Sequence, residues 1–325
     1  MVLAFSFRMP NWGISLVAGL AAALAFVTQG NFGMLTAILG NFCPLPLMIA
    51  SFGWSGSTGI AASIIAGLTI FALNEGHGAL EFIGLIGLPC VGLAVLAQRR
   101  INQDLYYPIG RALAWIGWAA IFTSLADIAI WASRSGGYEA ATADLARQYL
   151  PVVQEVIVPG FNLPAGVSAE ALAQIFARVV PYASVVTTTF FLVINLWLAA
   201  RITRLAGRLE RPWPSLPEQT ALPRHEVLVL SVSFAVLGSG LALGSSSLVL
   251  VSGVFIAGVA ALYALQGLAV VHAVTRKIPF RGAILALVYL GIVFLSLWPV
   301  ILAALVGLAD SLVSLRREPP ANEDL

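Results

Sequence analysis

Apolar and polar positions fall along this chain in long blocks. From Met9 to Asn74 no residue is charged, and two clusters of turn residues, Gln29-Gly-Asn-Phe-Gly33 and Gly53-Trp-Ser-Gly-Ser-Thr-Gly59, interrupt the run. A run of this length holds about three bilayer crossings of roughly 20 residues each. Helices are therefore predicted near 12–28, 33–52 and 58–73. The second carries Pro44 and Pro46, which remove two backbone donors and predict a helix broken or unwound at membrane depth. A short acidic loop, Asn74 to Glu81, leads to a fourth helix near 82–97. The basic loop Gln98 to Arg111 leads to a fifth near 112–132.

Between Ser133 and Pro181 the pattern becomes that of a soluble helix. Leu145, Tyr149, Val152, Val153 and Val156 form one apolar stripe, and Leu172, Ile175, Phe176 and Val179 a second, with Ser168 as an N-cap. Two short amphipathic helices on the membrane surface are predicted here. A sixth crossing follows near 182–200. The stretch Arg201 to Arg224 holds five Arg, two Glu and four Pro and reads as an extended linker. Beyond it, the uncharged run Val227 to Val271 splits at Gly244-Ser-Ser-Ser247 into two crossings. The run Gly282 to Ala309 is read as one last crossing kinked at Trp298-Pro299, because two half-length helices would each be short for a membrane. The predicted fold is all-α and polytopic, with about nine transmembrane helices. Its divisions are a six-helix bundle over 1–200 with an extracytoplasmic insertion at 133–181, a basic Pro-rich linker over 201–225, C-terminal transmembrane helices over 226–317 and a polar tail over 318–325.

Composition agrees. Hydrophobic residues make up 59% and charged residues 10% of the 325, with a mean hydropathy of +0.93. That excludes an ordinary soluble domain, and the unbroken apolar runs disfavour a β-barrel. A net charge of +2 is too small to suggest nucleic acid. Basic residues orient the chain instead: twelve of the 17 fall at Arg8 or in the loops 98–111, 201–224 and 272–281, against three in the amphipathic segment. This places the N-terminus in the cytoplasm. The first apolar run has no cleavage site after it and reads as a retained anchor. Cys43 and Cys90 lie in apolar runs and read as small buried residues.

No metal-ligand spacing joins His77, His225 and His272, and no zinc-protease, Walker or paired-acid motif occurs. Gly53-Trp-Ser-Gly56 imitates the GxSG of rhomboid proteases but has no partner base or oxyanion pair in sequence. The chain is therefore expected to be no enzyme and to hold no metal or cofactor. Polar residues at membrane depth remain: Asn41, Asp127, Asn195, Gln266 and Asp310. Such residues are costly in lipid and usually face a cavity or a partner. Together with Pro44 and Pro46 they form the candidate ligand site, with Asp127 and Asp310 flanking an outward-opening pocket above Asn195 and Asn41. For any one of them, a helix-end or packing role is the alternative.

Four stretches carry a family resemblance. They are Pro44-Leu-Pro-Leu with the Gly53 to Gly59 turn, Gly87-Leu-Pro with Arg99-Arg100, Tyr107-Pro-Ile-Gly-Arg111, and Leu265-Gln-Gly-Leu-Ala-Val-Val-His272 with Gly307-Leu-Ala-Asp310 and Arg316-Arg317. Together they resemble the YybS-like (DUF2232) integral membrane proteins of bacteria, which implies a multi-pass inner-membrane protein. More remotely, the front six helices look like the substrate-binding S components of energy-coupling-factor (ECF) transporters. That resemblance implies an external ATPase module and a docking face made by Ala18 and Ala22, or by Ala21 and Ala25. Two functions follow as expectations: a small-molecule-binding, transport-related subunit without its own ATPase, or a non-enzymatic scaffold in envelope assembly. The bilayer is the one certain partner. A membrane-protein partner, either an ECF-type coupling module or an envelope complex, is expected.

Overall fold

The computed structural model describes residues 9–28, 38–73, 78–103, 105–157, 160, 167–295 and 297–316. The expected turn at 29–33, the loop carrying His77, Arg8, Arg317 and the tail 318–325 lie outside these residues. Six described helices are long and apolar enough to cross a membrane: Gly56–Leu73, Ala79–Gln98, Ile109–Ser135, Ala169–Leu205, His225–Ala242 and Ser246–Lys277. Four shorter apolar helices, Trp12–Val27, Ile38–Gly53, Arg281–Leu295 and Trp298–Val313, accompany them. No strand occurs among the described residues, where Arg100 and Tyr106 make an isolated bridge.

In chain order, α1 is Trp12–Val27, α2 Pro44–Gly53, α3 Gly56–Leu73, α4 Ala79–Gln98, α5 Ile109–Ser135 and α6 Tyr138–Val152. Then come α7 Ala169–Leu205, α8 His225–Ala242, α9 Ser246–Val274, α10 Arg281–Leu295 and α11 Leu297–Val313. Two interleaved units result. Unit 1 is Met1–Ala119, Thr188–Leu228 and Val259–Leu325, and unit 2 is Ala120–Thr187 and Val229–Gly258.

Small residues let the front helices of unit 1 approach closely. A Cβ on Gly19 of α1 would lie 2.7 Å from the Ala62 carbonyl oxygen of α3. Ala22, Ala23, Leu47, Ala62, Ala66, Ile70 and Phe82 are buried around that contact, and Phe26 meets Phe82 edge-on. Polar pairs hold the same seam, with the Ser15 hydroxyl donating to the Thr58 carbonyl and Asn11 capping α1. Ala18 and Ala22 are 8% and 0% exposed. The face expected to dock a partner is thus occupied by the chain's own α3, while Ala21 points outward. In α4 the ladder widens to a π-type turn over Phe82–Gly87, just ahead of Pro89, which has no N–H to offer it.

Unit 2 packs around α6 and the start of α7. Ser168 caps α7 as expected, accepting from the Ala171 amide at 3.2 Å. The separate second amphipathic helix does not occur, because α7 runs unbroken from Ala169 through Pro181 to Leu205. Its buried face is also rotated from the expected stripe. Ala173 and Ala177 pack with Ala146 and Val153, whereas Ile175, Phe176 and Val179 are exposed. The small alanines permit the closer helix approach, and the larger apolar residues are left outside.

The last hydrophobic run departs most from expectation. It forms α10 and α11 rather than one crossing. A Cβ on Gly291 would lie 3.6 Å from Cγ of Pro299. Residues eight apart in an unbroken helix are about 12 Å apart along its axis, so the chain bends sharply here. Pro299 supplies the cause: it lacks an N–H, and its ring excludes the carbonyl four residues earlier.

Candidate functional site

Asn41 and Asn195, read separately as polar residues at depth, meet in unit 1. Pro44 opens α2 at its first position, where its missing N–H costs nothing. Before it, the backbone tightens: Phe42 N donates to Leu39 O, Cys43 N to Gly40 O and Leu45 N to Phe42 O. Leu45 N is thereby diverted from Asn41 O. Asn195, fully buried on α7, donates Nδ2 to that carbonyl at 2.9 Å and to Phe191 O at 2.7 Å. Phe42 packs edge-on against Phe191 beside it. The proline break is real, with the Asn41 carbonyl bonded and Asn195 Oδ1 buried without a hydrogen-bond partner, and Pro46 continues α2 as a regular helix residue. Asn195→Leu is expected to cost about 1–2 kcal/mol by stripping the Asn41 carbonyl of its donor. Thermal unfolding in detergent reads this directly, and an unchanged midpoint would show that the contact contributes nothing.

Gln266 and Asp310 form the second meeting point. Gln266 lies on α9, and its Nε2 donates to Asp310 Oδ2 at 2.7 Å and to Ser311 Oγ at 3.0 Å. Its Oε1 accepts from the Leu222 amide at 2.9 Å. Arg316 closes the other side of Asp310 at 2.5 Å and sends the rest of its fork to the Pro217 and Thr220 carbonyls, at 2.8 and 2.7 Å. The ion pair is nearly dry, with side chains 14% and 5% exposed. Close approach of α9 and α11 makes this possible: a Cβ on Gly307 would lie 2.8 Å from the Gly267 backbone nitrogen.

The linker is therefore built into unit 1. Arg211 donates to the Ala97 and Tyr107 carbonyls, the Tyr106 hydroxyl donates to Glu210 O, and Arg276 pairs with Glu218. A Cβ on Gly110 would collide with the Ala221 carbonyl, which accounts for the glycine in Tyr107-Pro-Ile-Gly-Arg111. The three basic loops expected to share a side are bonded to one another, and Arg316 joins them. Burial lowers the pKa of Arg211, with Tyr106 opposing the shift.

Next to this lock is a residue the sequence pattern did not single out. Glu226, in the first turn of α8, is fully buried. Its Oε1 accepts from Trp118 Nε1 at 3.0 Å and lies 3.3 Å from His225 Nε2, while Oε2 has no hydrogen-bond partner. Tyr263, one helical turn before Gln266 on α9, is 1% exposed, and its hydroxyl also has no hydrogen-bond partner. The available signal was Glu226 standing one residue outside the uncharged run. A carboxylate in a first helical turn has a ready explanation in the helix dipole, which hid it.

Other expected members are elsewhere. Asp127 belongs to unit 2 and is exposed on α5, whereas Asp310 belongs to unit 1 together with its partners Gln266 and Arg316. Within unit 1, Asp310 is bonded in the Gln266–Asp310–Arg316 lock. Ser55 of the GxSG sequence bonds Ser57 and Thr58 hydroxyls and accepts from the Thr58 amide, while His272 meets the Tyr289 hydroxyl at 2.8 Å. Among the described residues no group of three acidic, Cys or His side chains could hold a metal.

A family model described as predicted membrane protein (DUF2232) matches residues 19–311. The chain belongs to the DUF2232 family. Neither the curated proteins nor the solved structures contain a match. The matched residues span Asn41, Asn195, Glu226, Tyr263, Gln266 and Asp310, so both meeting points lie within the DUF2232 region.

Proposed function

We propose that the chain is a small-molecule-binding, transport-related subunit of the bacterial inner membrane, non-enzymatic and without its own ATPase. The observation that carries this is that two of the buried groups without a hydrogen-bond partner, Glu226 Oε2 and the Tyr263 hydroxyl, lie beside a network whose members are bonded. Each orphan costs about 1–3 kcal/mol. A cost kept on two different helices, close enough for the Glu226 charge to act on Tyr263, fits a site whose missing partner arrives with a ligand. With the basic loops in the cytoplasm, this site lies toward the cytoplasmic side, not the outer face. Energy for transport would then come from a membrane-protein partner such as an ECF-type coupling module, docked on a face other than Ala18 and Ala22.

Native mass spectrometry of the detergent-solubilised protein from its own membrane tests the reading. The expected result is a stoichiometric small molecule on the wild-type chain that is lost in Glu226→Gln and reduced in Tyr263→Phe, both variants remaining folded. Wild-type protein carrying no small molecule, or an adduct indifferent to both changes, would overturn it. A second reading, a non-enzymatic scaffold for envelope assembly, is favoured by α10, which has no buried residue. Other membrane proteins co-purifying with the wild type, and lost when α10 is made polar, would favour the scaffold.

A further inference from the structure

A separate feature lies where α7 leaves its candidate span. Arg201, Arg204 and Arg208 follow one another around the end of the helix, and Gly207, at φ +68°, turns the chain there so that Arg208 N reaches Thr203 O. All three arginines are exposed, yet each is held against an indole. Arg201 and Arg204 lie 5.8 and 5.0 Å from the ring centre of Trp213, and Arg208 lies 4.5 Å from that of Trp54. Ion pairs such as Arg147–Asp144, Arg276–Glu218 and Arg316–Asp310 occur among the described residues, and none there includes these three. Three like charges are thus gathered and oriented with no carboxylate to neutralise them.

Geometry and chemistry suit one class of anion. Guanidinium groups present planar forks that match phosphate oxygens. Stacking on indoles restricts those forks, so less freedom is lost when they bind. Tryptophan prefers the headgroup level of a bilayer, and α7 ends its apolar stretch at Leu205, beside the arginines. We infer that the Arg201–Arg204–Arg208 collar, held by Trp54 and Trp213, is a binding site for the headgroup phosphate of an anionic phospholipid.

Diffuse attraction between basic residues and an anionic leaflet is the competing account, worth about 1 kcal/mol per arginine wherever it sits. The two accounts separate when the charge is kept and the stacking removed. Full-length protein would be placed in nanodiscs of phosphatidylcholine doped with phosphatidylglycerol, and retained lipid counted by native mass spectrometry. The wild type is expected to retain phosphatidylglycerol over phosphatidylcholine. Trp54→Leu/Trp213→Leu, with unchanged net charge, is expected to weaken that preference about tenfold through the loss of all three arginine–indole contacts. Arg201→Gln/Arg204→Gln/Arg208→Gln should abolish it, and Arg147→Gln, a charge change on α6, should leave it intact. Circular dichroism and thermal unfolding check that each variant is folded; if the double tryptophan variant unfolds, Arg208→Lys replaces it and is expected to weaken retention while keeping the charge. A folded stacking variant that retains lipid like the wild type would overturn the site in favour of diffuse attraction. Full displacement of the lipid by millimolar inorganic phosphate would assign the collar to free phosphate and overturn the lipid assignment.

Discussion

Gly307→Ala is expected to destabilise the folded protein by about 3 kcal/mol, near the upper end of ordinary overpacking. The added methyl would fall inside contact distance of the Tyr263 carbonyl oxygen and 2.8 Å from the Gly267 nitrogen. Both are backbone atoms of α9, so relief requires moving a helix rather than turning a side chain. Gly267→Ala meets the Ala303 carbonyl in the same way and should cost a similar amount. The pair should not be additive, since one separation of α9 from α11 makes room for both methyls. Gly238→Ala and Gly282→Ala, where nothing lies within 4 Å, serve as controls and should be neutral or slightly stabilising. Thermal or denaturant unfolding in a fixed detergent makes the comparison. If Gly307→Ala unfolds with the controls, the two helices are not in backbone contact.

Arg316→Ala carries the other large effect, an expected loss of about 3–5 kcal/mol. The guanidinium serves three acceptors at once: the Asp310 carboxylate and the carbonyls of Pro217 and Thr220. Removing it leaves a carboxylate 5% exposed without its cation, together with two carbonyls short of a donor. Asp310→Asn/Arg316→Met removes both charges and should recover much of the loss. Arg316→Lys should fall between, because an ammonium keeps the charge but cannot span the three acceptors as a fork. Limited trypsin digestion gives a second readout, since cleavage needs a flexible backbone and a released linker offers one at the Arg208–Leu209 and Arg224–His225 bonds. Equal unfolding midpoints and equal cleavage rates for Arg316→Ala and wild type would refute the lock.

How far the sequence carried is clear from particular residues. The positions of the long helices were legible because apolar length is a direct requirement of lipid. The break ahead of Pro44 was legible because proline has no N–H. Gln266 and Asp310 stood out singly as polar residues in apolar runs, but not as a pair: their bond spans 44 residues, and no local periodicity encodes it. Arg316 stood in a family-like stretch but was not legible as a partner of the linker, because the run before it could be read as one kinked crossing or as two half-length helices. The buried face of α7 was misjudged because alanine, weakly hydrophobic, packs helices more closely than the Ile and Phe beside it. Glu226 escaped because a first-turn carboxylate satisfies a local rule while also being buried by distant helices.

The tie between the linker and Arg316 also sets an order of events in time. The Thr220 carbonyl is synthesised 96 residues before the arginine that binds it. At ~5–20 residues per second, the linker waits on the order of 5–20 s before its partner exists. During that interval the Pro217 and Thr220 carbonyls lie beside a half-built bundle. A nascent chain arrested before Arg316 would hold these groups open to a chaperone or a membrane protease, and only an elongated chain could withdraw them.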